Sequence, residues 1–190
     1  PLGNAVAIEF LGPIAIAAIG TKSVRSAGAL LLAASGVLIL AGVQGDGTLL
    51  GVLFALLAGS MWAGYIVLGH RVARDGLAID GLGVGMLIGA FVISPLGIGE
   101  IDVAFSDLRI LGLALAAGLL SNIVPYVIDQ FVMKEITRSR FAFLQALLPV
   151  TATVVGFLSL GQSPSWAECL GIGSVILAIA ISGGDREFRK

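Results

Sequence analysis

Charge is scarce in this chain. Only 12% of its 190 residues are Asp, Glu, Lys or Arg, while 57% are hydrophobic and the mean hydropathy is +1.04. Soluble domains carry about 25% charged residues, so the composition excludes a water-soluble domain and makes the bilayer the solvent. Basic residues are not in excess, with 11 against 12 acidic ones, and nothing suggests a nucleic-acid partner. A lone cysteine, Cys169, excludes an internal disulfide, and its apolar surroundings predict buried packing. Metal-ligand clusters, nucleotide-binding glycine loops and nucleophile–base pairs are all missing, so no metal, no cofactor and no enzymatic activity is expected. The chain opens on PLGNAVAIEFLG, inside an apolar segment without an initiator methionine, basic n-region or cleavage site, which predicts a truncated N-terminus.

What the sequence does hold is a series of long apolar runs. A hydrocarbon core about 30 Å thick requires roughly 20 helical residues, because each backbone polar group in lipid must be satisfied within its own segment. Seven stretches meet this need, approximately 1–20, 27–43, 48–69, 81–98, 109–133, 140–161 and 165–183. The first is cut and the second short. Turn chemistry separates them at QGDG (44–47), RDGLAIDG (74–81), the Pro95 to Asp107 segment and GQSPS (161–165). The expected fold class is all-α, a polytopic transmembrane helix bundle.

With alternate crossings, Lys22, Arg25, Arg71, Arg74, Lys134, Arg138, Arg140, Arg186, Arg189 and Lys190 share one side, which is ten of the eleven basic residues, leaving Arg109 opposite. The positive-inside rule makes the crowded side cytoplasmic and places the C-terminus there. Asp46, Glu100, Asp102, Asp107 and Glu168 fall on the exterior side. Six or eight spans would scramble this alternation.

An internal repeat is suggested by the first and last pairs of spans. Matching Pro13 to Pro149 sets Glu9 opposite Gln145, and each pair then continues through a polar loop into a helix rich in small residues, 27–42 and 170–184. Such repeats are common in secondary transporters, whose sites lie near the midplane between the halves.

The chemistry-bearing residues are few. Glu9 is the one acid well inside an apolar span, where a charged residue costs about 2.5 to 3.5 kcal/mol on insertion scales. It reads as a proton-coupling or amine-binding carboxylate, or else as a solvated interfacial residue. Pro13 and Pro149 each free the carbonyl four residues earlier, at Glu9 and Gln145, so that a polar side chain and a free carbonyl coincide in depth; a static kink is the plain alternative. Trp62 and Tyr65, three residues apart, share a helix face that could wall a cavity or stack on a cation, or belong to an interfacial belt. Asn122 and Tyr126 share a face, beside Pro125 and the carbonyl it frees at Ser121, although Asn122 could equally serve an interhelical hydrogen bond. Glu9, Trp62, Tyr65, Asn122, Tyr126 and Gln145 form the candidate substrate site, with Pro13, Pro125 and Pro149 as helix-kink positions. Stripes at Gly51, Ala55, Gly59 and Ala63, at Gly81, Gly85 and Gly89, and at Gly112 and Ala116 predict close helix packing. His70, beside Arg71, reads as a loop residue.

The segments PLGNAVAIEFLGPIAI (1–16), GSMWAGYIVLGHRVA (59–73), LLSNIVPYVIDQFVMKEI (119–136) and FLQALLPVTATVVGFLSLGQSPSW (143–166) resemble the drug/metabolite transporter superfamily, EamA type. The first two are most similar to its threonine/homoserine exporter branch. The resemblance implies ten spans in two inverted five-helix repeats, cytoplasmic termini, and export of small metabolites by alternating access. On that plan residues 1–43 are the last two spans of a truncated first repeat, 48–184 the five-span second repeat and 185–190 a cytoplasmic tail. The implied partners are a small-molecule substrate such as threonine or homoserine, a coupling ion for which the proton is the candidate, and the inner-membrane bilayer; a homodimer is left open. Efflux of cationic drugs and a non-transporting membrane scaffold are the competing readings.

Overall fold

In a computed structural model, residues 2–42, 48–100, 105–161 and 163–183 are described, and these are helical with no strand among them. Ten α-helices follow in order: α1 Leu2–Glu9, α2 Leu11–Ile19, α3 Val24–Ala41, α4 Leu49–Arg74, α5 Ala78–Gly97, α6 Leu108–Gly118, α7 Val124–Glu135, α8 Arg138–Leu144, α9 Leu147–Leu160 and α10 Trp166–Gly183. They make seven rods, since α1 and α2, α6 and α7, and α8 and α9 are each one rod broken near a proline. Five segments are long and apolar enough to cross a membrane: Val24–Ala41, Leu49–Arg74, Ala78–Gly97, Leu108–Glu135 and Arg138–Ser159. Ala5–Ile19 and Trp166–Ser182 are shorter apolar helices. The seven expected stretches thus each correspond to a rod.

The ends of the rods follow local chemistry. Ser23 caps α3 by accepting from the Ser26 N–H at 3.0 Å, and Asp107 caps α6 by accepting from that of Arg109 at 2.7 Å. At α10 the cap is reciprocal, the Glu168 carboxylate accepting from the Ser165 N–H at 2.7 Å while the Ser165 hydroxyl accepts from the Glu168 N–H at 3.2 Å. After α4, Gly76 takes a φ of +82° and the Leu77 N–H donates back to the Val72 carbonyl at 3.2 Å, closing the helix in a Schellman turn. Because that turn needs only residues 75–77, α5 begins at Ala78, inside the 74–81 break expected from sequence. At its other end α5 runs past Pro95 to Gly97 and tightens into a 3₁₀ turn at Ile98–Glu100. Residues 44–47, 101–104 and the 185–190 tail lie outside the described residues.

Two compact units emerge, Pro1–Leu68 with Ile136–Lys190, and Gly69–Glu135. In the first, α3 against α10 is the most extensive helix pair. Its core is a seam of small side chains: Ser26, Ala29, Ala33, Gly36 and Val37 on α3 meet Gly171, Val175, Ala178 and Ser182 on α10. A Cβ on Gly36 would lie 2.8 Å from the Gly171 carbonyl oxygen, and one on Gly171 would lie 3.1 Å from that of Gly36. Backbones approach this closely only where side chains are absent. Cys169 is exposed, contrary to the expected buried packing. The inward stripe of α10 passes through positions 171, 175 and 178, and position 169 is two residues, about 200°, away from it.

In the second unit α5 and α6 bury no residue, and Leu87, Phe91, Leu96 and Leu113 stand open. A helix that exposes apolar residues on every side is built for lipid. The stripes expected at Gly85, Gly89, Gly112 and Ala116 meet no packing partner among the described residues, whereas Gly81 packs on Val72. On α4, Ala55 and Gly59 are buried, Ala63 is half-buried and Gly51 is exposed.

Candidate functional site

Two of the breaks lie four residues before a proline, as the missing proline N–H predicts. Helix α1 ends at Glu9, Phe10 takes φ −65° and ψ −14°, and the ladder resumes with the Ile14 N–H donating to the Phe10 carbonyl at 3.0 Å. Likewise α8 ends at Leu144, and α9 starts at Leu147 after Gln145 and Ala146. The freed carbonyls are resolved differently. Gln145 accepts from the Leu148 N–H at 2.9 Å in a tight turn, whereas the Glu9 carbonyl faces α4 at Gly59, where a Cβ would lie 2.7 Å from its oxygen. A Cβ on Gly12 would in turn run into the Gly59 carbonyl. This glycine crossing brings α4 against the break.

One helical turn further along α4, Trp62 meets the same break. Its ring packs edge-on to that of Phe10, with centroids 5.0 Å apart and planes at 73°, the arrangement the ring quadrupoles favour. Glu9, Trp62 and Tyr65 are all half-buried. Gln145 is half-buried as well, and Ala146 beside it shares an apolar crevice with Phe10, Pro13, Ala33, Val37 and Phe143. Four of the six expected site residues, Glu9, Trp62, Tyr65 and Gln145, therefore belong to one compact unit. Residue Phe10, the hinge of the cluster, was not singled out by sequence; its place between Glu9 and Pro13 was the available signal.

Asn122 and Tyr126 belong to the other unit. Pro125 is accommodated there by a π-turn over Leu119–Ile123, in which the Val124 N–H donates to the Leu119 carbonyl. Within it the Ser121 hydroxyl donates to the Ala117 carbonyl at 2.6 Å and accepts from the Asn122 amide at 3.0 Å. Asn122 is exposed while Tyr126 is half-buried. A wider turn covers fewer degrees per residue, so the π-turn keeps Asn122 and Tyr126 on one face of the rod. The hydrogen bond from the Asn122 amide to Ser121 stays within its own rod.

Buried polar residues also occur where sequence did not look. His70 is not in a loop: α4 continues to Arg74, and His70 is 7% exposed within it. Gln130 on α7 is 2% exposed, and Ser26 and Ser182 are buried at the α3–α10 seam. Among the described residues no group of three or more His, Cys, Asp or Glu could hold a metal ion.

Residues 49–184 match the EamA-like transporter family. The threonine/homoserine exporter RhtA of Escherichia coli (strain K12) is 32% identical over 182 residues, covering 94% of this chain and 61% of RhtA. RhtA of Salmonella typhimurium (strain LT2) is 33% identical over the same length and shares. An uncharacterized transporter of Bacillus subtilis, YcbK, is 26% identical over 149 residues, 75% of this chain and 46% of YcbK. The chain thus spans about three fifths of the length of the RhtA proteins it matches. No solved structure matches it. With its helices apolar toward the outside and the match covering most of its length, the chain belongs to the EamA-like transporter family.

Proposed function

We propose that this chain is part of a secondary active exporter of small metabolites, amino acids of the threonine/homoserine type, which works by alternating access in the inner membrane with a cytoplasmic C-terminus. Residues 1–43 and 48–184 act in this reading as parts of two inverted repeats, and Glu9, Trp62, Tyr65 and Gln145 line the solute path. The observation that carries it is Glu9, a half-buried carboxylate at a helix break whose next residue, Phe10, packs on Trp62. A carboxylate in lipid needs a partner or a proton, and a transported ammonium or a coupling proton supplies one. The likeness to RhtA supports the amino-acid class. In the full-length exporter reconstituted into liposomes, Glu9→Gln should abolish the pH dependence of threonine export. Unchanged transport at every pH would remove the coupling role.

The Phe10–Trp62 ring pair beside Glu9 also favours a second reading, efflux of hydrophobic cations, since aromatic faces attract cations. Competition settles between them: a hydrophobic quaternary ammonium that is exported, while threonine and homoserine are not, would select efflux.

A further inference from the structure

Gln130 is the most isolated buried polar side chain outside the site described above. It is 2% exposed on α7, and its Oε1 has no hydrogen-bond partner among the described residues. Beside it at Gly69 is Met133, which is fully buried. A Cβ on Gly69 would lie 3.3 Å from the Gln130 Nε2 and 3.2 Å from the Met133 sulfur, so the amide lies flat against α4 where that helix has no side chain. Burying an amide oxygen without a donor is unfavourable, and an apolar residue of the same shape would avoid the penalty. One turn beyond Gln130 on α7 is Lys134, and Arg71 and Arg74 end α4 close after Gly69; all three are exposed. Two helices thus present charges of both signs at their ends, the cations interleaved with the carboxylates of Asp75, Asp129 and Glu135, with a neutral hydrogen-bond acceptor set one turn deeper than Lys134.

That mixture of charges fits a zwitterion, whose two ends need partners of both signs. Resting on the amino-acid exporter reading above, we propose that Gln130 is a solute-binding residue at the basic ends of α4 and α7, its Oε1 accepting a hydrogen bond from the ammonium group of an amino acid whose carboxylate is drawn toward Arg71, Arg74 and Lys134. The site takes primary amines with a nearby carboxylate, and the amine is what Gln130 reads.

The test uses Gln130→Met, which keeps length and volume but removes the acceptor. In the full-length exporter, transport of L-threonine is measured from the side bearing Arg71, Arg74 and Lys134, with 3-hydroxybutyrate, which is threonine without its amine, as a competitor. Loss of one hydrogen bond to a charged group predicts a KM for threonine raised about tenfold. The inhibition constant of 3-hydroxybutyrate stays the same, and the thermal midpoint of the variant is equal to or above that of the wild type. Stability and recognition then move in different directions, which a purely structural glutamine would not produce. A threonine KM unchanged in Gln130→Met, with or without a lower maximal rate, overturns the proposal and leaves the exporter reading standing. A wild-type protein that moves neither threonine nor homoserine overturns the exporter reading and this proposal with it.

Discussion

The Glu9 carbonyl, released from its helix by Pro13, faces Gly59 so closely that a Cβ on that glycine would lie 2.7 Å from the oxygen and 3.2 Å from the Glu9 Cα. The obstruction is backbone on both sides, so no rotamer change relieves it. Gly59 and Trp62 project from neighbouring turns of one α4 face, and together they hold the break from its carbonyl and from the Phe10 ring.

Gly59→Ala should therefore destabilise the protein by about 1 to 3 kcal/mol, the usual cost of overpacking, and move Glu9. Gly64→Ala is the control on the same helix: nothing lies within 4 Å of its Cβ position, and replacing a mid-helix glycine with alanine gains about 0.5 to 1 kcal/mol. Thermal unfolding of the full-length variants in detergent compares them. Equal midpoints for the two would disprove the close crossing.

At the α3–α10 seam the relevant glycines are Gly36 and Gly171. Gly36→Val places its side chain against the Gly171 carbonyl and the Val175 methyl, and should cost about 1 to 3 kcal/mol. Gly28→Val, with nothing within 4 Å of its Cβ position, should be neutral or slightly stabilising, valine being the better helix former. If the two variants melt together, α3 and α10 do not meet at Gly36.

The π-turn before Pro125 makes a prediction about orientation. Pro125→Ala restores the N–H that proline lacks and removes its clash with Ser121, so the segment should return to regular α-helix and turn residue 122 by about one residue step, 100°. In a Cys169→Ser background, the labelling rate of Asn122→Cys by thiol reagents should change when Pro125→Ala is added. A rate that does not change means that proline does not cause the π-turn.

What was legible in the sequence follows from what lipid demands of a backbone. A span must be long, apolar and helical, so the seven runs appeared as seven rods. The breaks at Glu9 and Gln145 were equally plain, because proline lacks one N–H and the affected carbonyl is always four residues back. Burial was not legible in the same way. With Arg71 beside it, His70 reads as a loop residue, yet α4 extends to Arg74 and His70 is buried within it. Apolar neighbours make Cys169 read as interior, yet it is exposed.

The reason is shared by both errors. In water, hydrophobicity marks the face of a helix that turns inward, but a helix in lipid is apolar on all sides and carries no such mark. The sequence by itself determined the medium, the number of rods, their breaks and the candidate carboxylate at Glu9. Only the tertiary structure decided which face of each rod meets another: Gly36 on Gly171, Gly59 on Glu9, Trp62 on Phe10, and Gln130 flat against Gly69. Those choices rest on fit between particular side chains, and fit is a property of two surfaces that neither segment displays alone.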